Sequence, residues 1–162
     1  MRTEIDRSES RVNIAPEYQN PKLSVIVADG SPEYLQTVRN VSDCHDIVDL
    51  VGRSANFEET IQLVVNLRPD LVLLDIEMPS AMVAIAAIIL TVADVHIVGM
   101  FAGCIPLDST AVVLAVNAFI DRARLRNELL PLLQAMQRCR AATNSVGRLP
   151  TNLRSRYRLA RK

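Results

Sequence analysis

Short apolar runs alternate with helix-patterned segments five times along this chain, and that alternation admits few folds. Leu23–Ala28, Ile47–Val51, Leu71–Leu74, Val95–Met100 and Ala118–Ile120 read as strands. Helices are expected from Ser31 or Pro32 to about Val41, over Phe57–Leu67, and from Pro79 to about Val92. Two more are expected over Ser109–Val116 and Ala123–Arg140, with Pro131 kinking or splitting the last. Such repetition predicts an α/β doubly wound fold, a five-stranded parallel sheet with helices on both faces.

Two of these strands run into a carboxylate. Leu71-Val-Leu-Leu-Asp75-Ile-Glu-Met-Pro79 is an apolar run, an acid, and a proline suited to a helix start. Leu23-Ser-Val-Ile-Val-Ala28-Asp29-Gly30-Ser31-Pro32 has the same grammar. In open α/β sheets ligands bind at the carboxyl ends of the strands. Asp75 taken alone also reads as a cap for the following segment. Taken together, Asp29 and Asp75 can meet at one edge of a sheet, where two close carboxylates repel unless a cation lies between them. Oxygen ligands with open positions suit Mg²⁺. A carboxylate beside such an ion can attack a phosphoryl group.

The segment from about Leu23 to Arg138 resembles the receiver domain of bacterial two-component response regulators. Arg68-Pro-Asp-Leu-Val-Leu-Leu-Asp75-Ile-Glu-Met-Pro79 is very like that family's phosphoacceptor strand and loop. Asp46-Ile-Val-Asp-Leu-Val-Gly52, followed by Ala55-Asn-Phe-Glu-Glu-Thr-Ile61, looks like its second strand and helix. The subfamily it most resembles usually carries a helix-turn-helix output domain. The resemblance implies strand order 2-1-3-4-5. It also implies phosphoryl transfer to Asp75 from a histidine kinase or phosphotransfer protein. Mg²⁺ would be held by Asp29, Asp75 and the Glu77 backbone carbonyl. It further implies a signalling switch rather than a turnover enzyme.

The departures from the family pattern are concentrated at the same site. The family has adjacent acids after its first strand, and here Ala28 precedes Asp29, so Mg²⁺ binding is expected to be weak. The family's Ser or Thr after the fourth strand aligns with Phe101, which has no hydroxyl. Its Lys after the fifth strand aligns with Arg122, a longer planar fork. The proline after that Lys is Ala123, and the aromatic switch position is Phe119. Two readings follow. One is an inefficient stand-alone phosphoacceptor. The other is a phosphorylation-independent pseudo-receiver serving as a protein-interaction module.

Charge and composition frame these readings. Eight basic residues and no acid lie between Arg138 and Lys162, leaving ten basic against eighteen acidic residues in the preceding body. The body suits a cation at its carboxylate site. The tail suits nucleic acid, anionic lipid or the acidic body itself, and also reads as a solvated end. A nucleic-acid-associated regulator acting through the tail is a more distant reading, because about two dozen residues cannot form a helix-turn-helix domain. We divide the chain into a flexible lead (1–22), a receiver-like domain (23–140) and a basic tail (141–162).

Cys44, Cys104 and Cys139 form no metal or disulfide spacing, and no signal peptide or span of about 20 apolar residues is visible, so a cytoplasmic site is expected. His45 and His96 stand alone, and five glycines include no phosphate-cradling loop. The third helix, 79–92, carries one polar residue over Ala81–Ala93. A helix apolar all round calls for cover on its outer side, from a second subunit in a homodimer, the lead or the tail.

Overall fold

The computed structural model describes residues 21–92, 94–103 and 116–143. The element order is β1 (Leu23–Ala28), α1 (Pro32–Cys44), β2 (Val48–Ser54), α2 (Phe57–Leu67), β3 (Leu71–Asp75), α3 (Ala81–Thr91), β4 (His96–Phe101) and β5 (Ala118–Asp121). A 3₁₀ turn over Arg122–Arg124 leads into α4 (Leu125–Thr143). The helix expected over Ser109–Val116, residues 1–20 of the lead and the tail beyond Thr143 lie outside the described residues.

The five strands form one parallel sheet in the order β2-β1-β3-β4-β5. Successive strand side chains point to opposite faces, so each central strand feeds two cores. Val25, Val27, Leu71, Leu73, Val98 and Met100 pack on one face with Leu35 and Val38 of α1 and Leu129 and Leu133 of α4. Ile26, Val72, Leu74 and Ile97 pack on the other with Val64 of α2 and Ile85 and Ile88 of α3. Leu73 and Leu129 are wholly buried, and each such side chain contributes about 1.5–3 kcal/mol.

Local chemistry sets the element ends. Asn56 caps α2 by accepting the Glu59 N–H at 2.9 Å, and Arg68 ends it in the left-handed region just before Pro69. α1 runs three residues past the expected Val41, to Cys44. β2 continues to Ser54, because a register shift opposite Val25/Ile26 absorbs an extra residue and lets Gly52 lie against Ile26. α3 begins at Ala81 rather than Pro79: Met78 N–H bonds back to the Asp75 carbonyl, and Ser80 adopts a left-handed conformation first. The last helix begins at Leu125 rather than Ala123, after the 3₁₀ turn that Asp121 caps through the Ala123 N–H at 2.9 Å. Pro131 does not split it. The apolar stripe Leu129, Leu132, Leu133 and Met136 is buried on both sides of the proline, and that burial offsets roughly 3 kcal/mol of helix disruption.

α3 is buried on one side only. Ala81, Ala84, Ile85 and Ile88 face the sheet, whereas Met82, Val83, Ile89 and Leu90 are exposed, Leu90 at 84%. Within the described residues its outer stripe meets solvent; the cover expected from a second subunit, the lead or the tail lies outside them. Ile88 and Ile89 are adjacent in sequence and opposite in role. In the monomer at high dilution, Ile89→Lys and Leu90→Lys are expected to stay within about 0.5 kcal/mol of the parent in denaturant unfolding, as solvent-facing positions do. Loss of several times that amount would mean that the stripe is packed.

At the opposite end of the sheet from Asp75, Asp70 ties three elements together. Its Oδ2 accepts from Ser24 N–H and Oγ at 2.8 Å each and from Arg140 Nη1 at 2.5 Å. His96 Nδ1 lies 3.3 Å from the Asp70 carbonyl, which can only accept. Burial lowers the His96 pKa from 6.5, against the pull of the Asp70 carbonyl and of the Asp70 and Asp94 charges. The unfolded chain then binds the proton more readily than the folded one. Stability should rise with pH from the folded value up to about 6.5 and fall on acidification. Melts between about pH 5.5 and pH 7.5 should show this slope. His96→Gln should flatten it, and an unchanged slope would remove His96 as its source.

Candidate functional site

β1 and β3 are neighbours, with Ala28 paired to Leu74, so the residues that follow them, Asp29 and Asp75, emerge side by side. Asp29 is 2% exposed and Asp75 8%. Each closes a tight turn: Asp29 Oδ1 accepts the Ser31 N–H at 2.7 Å, and Asp75 Oδ1 accepts the Glu77 N–H at 2.8 Å. The turns aim the second oxygen of each carboxylate at the same place.

Arg122 fills that place. It follows β5, two strands from β3 and three from β1, and each strand spacing is about 4.8 Å. Its reach across the end of β4 uses the length of the arginine side chain. Nη2 lies 2.7 Å from Asp29 Oδ2 and also forms an ion pair with Asp75 Oδ2. Nη1 is 3.7 Å from Glu77 Oε2. The guanidinium carbon lies 4.7 Å from the centre of the Tyr34 ring, a cation–π contact. Nε is buried and has no hydrogen-bond partner among the described residues. Burial works against the Arg122 charge, but Asp29 and Asp75 outweigh it and the pKa is raised. Burial also pushes the Asp29 carboxyl above its ordinary value, and the nearby Asp75 charge adds to this, against the pull of the Ser31 N–H and of Arg122.

The two positions that the resemblance implies as switches, Phe101 and Phe119, lie together. Phe101 and Phe119 meet edge to face, with centroids 6.5 Å apart and planes at 72°. Phe119 lies close over Gly99, where an added Cβ would come within 2.9 Å of the Phe119 ring and of Ile76. Phe101 thus brings an aromatic contact with Phe119 and no hydroxyl after β4.

The structure brings Asp29, Asp75 and Arg122 together; the sequence placed the two aspartates at one sheet edge and left the partner of Arg122 open. It also recruits groups the sequence reading missed. Glu77 presents its carboxylate to Arg122, where the resemblance implied a role for its backbone carbonyl. Tyr34, on α1, is the second such group, lying against the Arg122 guanidinium. Its place five residues after Asp29, in the first helical turn, was the available signal.

This arrangement does not fit Mg²⁺. Both Oδ2 atoms that would face the ion are paired with Arg122, and both Oδ1 atoms are held by backbone N–H groups. Among the described residues no group of three or more His, Cys, Asp or Glu side chains is arranged to hold a metal.

Known proteins place this architecture. The receiver domain of Thermotoga maritima CheB superposes with a TM-score of 0.62 at 19% identity, covering 72% of this chain and 97% of that one. The receiver domain of the response regulator NarL from Mycobacterium tuberculosis gives 0.59 at 24% identity, with 72% and 97% covered. In sequence, protein-glutamate methylesterase/protein-glutamine glutaminase 2 of Photobacterium profundum is 30% identical over 122 residues, which is 69% of this chain and 31% of that protein. The chain thus spans about a third of the length of that curated relative. No protein-family model matches the chain. The chain has the receiver fold of response regulators, and its likeness to the methylesterases lies in their receiver part. Among the described residues no helix is long and apolar enough to cross a membrane.

Proposed function

We propose that this chain is a receiver-type signalling module that works through protein contacts without phosphorylation of Asp75. The observation that carries this reading is the Arg122 ion pair with Asp75. A nucleophilic carboxylate needs a free oxygen directed at phosphorus. Here one oxygen of Asp75 is bound to Arg122 and the other to the Glu77 N–H. The hydroxyl that would bond a phosphoryl oxygen is replaced by Phe101. The proposed setting is the cytoplasm. The exposed stripe of α3 is the surface that such a module offers, in a homodimer or to another signalling protein. The methylesterase activity of the longer relatives is not part of the proposal.

The test is phosphorylation of the full chain by acetyl phosphate, with and without Mg²⁺, read on a phosphate-affinity gel with Asp75→Asn as the control. No acyl phosphate on Asp75 is expected. Ready labelling that Asp75→Asn abolishes would sink the reading and restore the second one. That second reading is a slow acceptor for a histidine kinase or phosphotransfer protein, favoured by the retained Asp29–Asp75 pair. In it Arg122 would have to leave Asp75 before phosphoryl transfer, and Mg²⁺ could enter only then.

A further inference from the structure

Charge balance in the acidic pocket is already met from within the chain. Asp29, Asp75 and Glu77 bring three carboxylates to one end of the sheet, and the two aspartates are almost wholly out of water. Such a cluster folds only if protons or a cation relieve the repulsion. Arg122 supplies the cation: one nitrogen serves both aspartates and the next faces Glu77. The Tyr34 ring supports the guanidinium from α1, so its position is fixed from two elements. A divalent ion and the guanidinium cannot share these oxygens, since both need the same two Oδ2 atoms and would repel at that separation.

We infer that Arg122 is the resident cation of the pocket, a tethered replacement for a divalent metal, and that removing its charge frees the Asp29 and Asp75 oxygens for a hard divalent cation that keeps several waters. The inference is independent of whether Asp75 is phosphorylated, because it concerns only what neutralises the carboxylates. The chemistry of the freed set is all oxygen, which suits Mg²⁺ and Mn²⁺ and disfavours softer ions.

Mn²⁺ binding followed by electron paramagnetic resonance on the full chain tests this, comparing wild type, Arg122→Gln and the double variant Asp29→Asn/Arg122→Gln. Wild type is expected to bind no Mn²⁺ in the pocket. Arg122→Gln should bind it at least about tenfold more tightly and gain melting temperature in about 10 mM Mg²⁺. The double variant should lose that gain. If Arg122→Gln is unfolded without divalent ions, it should refold on adding Mn²⁺ and not on adding NaCl of matched ionic strength. Equal Mn²⁺ affinity in wild type and Arg122→Gln overturns the inference. So does a folded Arg122→Gln without the gain, a gain that survives Asp29→Asn, or an unfolded variant that Mn²⁺ does not rescue. Acyl-phosphate formation plays no part in these readouts, so failure here and failure of the phosphorylation-independent reading are told apart.

Discussion

Arg122→Ala, measured in chelator-treated buffer, is expected to lose about 3–5 kcal/mol of stability, the usual consequence of leaving buried charges without their partner. For a domain of this size that is a fall of roughly 10–25 °C in Tm. The loss follows from the burial of the site: Arg122, Asp29 and Asp75 side chains are 11%, 1% and 12% exposed. Solvent therefore screens the orphaned aspartates poorly. Adding Asp29→Asn to Arg122→Ala should recover a large part of the loss. Burial already disfavours the charged form of Asp29, so a neutral amide there removes both the repulsion and the desolvation. Asp29→Asn alone should be milder than Arg122→Ala, since Arg122 keeps its pair with Asp75. A double variant no more stable than Arg122→Ala would assign the loss to packing of the arginine stem and its Tyr34 contact. The charges would then not be its cause.

The sequence carried the parts of this molecule that depend on period and on strand ends. β1 and β3 announce themselves because central parallel strands are near-continuous apolar runs, and the acids at their carboxyl ends stand out against that background. Asp29 and Asp75 could thus be placed together before any coordinates. What the chain could not announce depends on reach and direction. Whether the cation after β5 touches Asp29, Asp75 or solvent depends on an arginine crossing β4, which is a tertiary distance. Glu77 could offer either its carbonyl or its carboxylate, and the carboxylate that faces Arg122 is a tertiary contact. The outer face of α3 was illegible for a different reason. With no polar residue to mark a solvent side, Ile88 and Ile89 are equivalent in composition, and only the sheet beneath distinguishes them. At Pro131 the local rule failed because four buried side chains on one face outweigh it.

Phe101→Thr combined with Arg122→Lys is expected to raise acyl-phosphate formation on Asp75 by about tenfold or more with acetyl phosphate as donor, by the usual worth of a donor to a charged transferring group. In that reaction an Asp75 oxygen attacks phosphorus, the bond from phosphorus to the acetyl oxygen breaks, and acetate leaves. Each substitution removes one obstacle. Phe101→Thr exchanges a ring that packs edge-on against Phe119 for a hydroxyl that can donate to a phosphoryl oxygen. Arg122→Lys exchanges a fork that serves three carboxylates for a compact charge with a shorter reach. An Asp75 oxygen is then released while a positive charge stays near. Phe101→Thr alone should do less, because the ion pair to Asp75 persists. Labelling in the double variant must disappear with Asp75→Asn. If the double variant folds and is labelled no faster than wild type, neither the ion pair nor the missing hydroxyl is what holds Asp75 back. The Ala28 substitution before Asp29 would then be the next place to restore an acid.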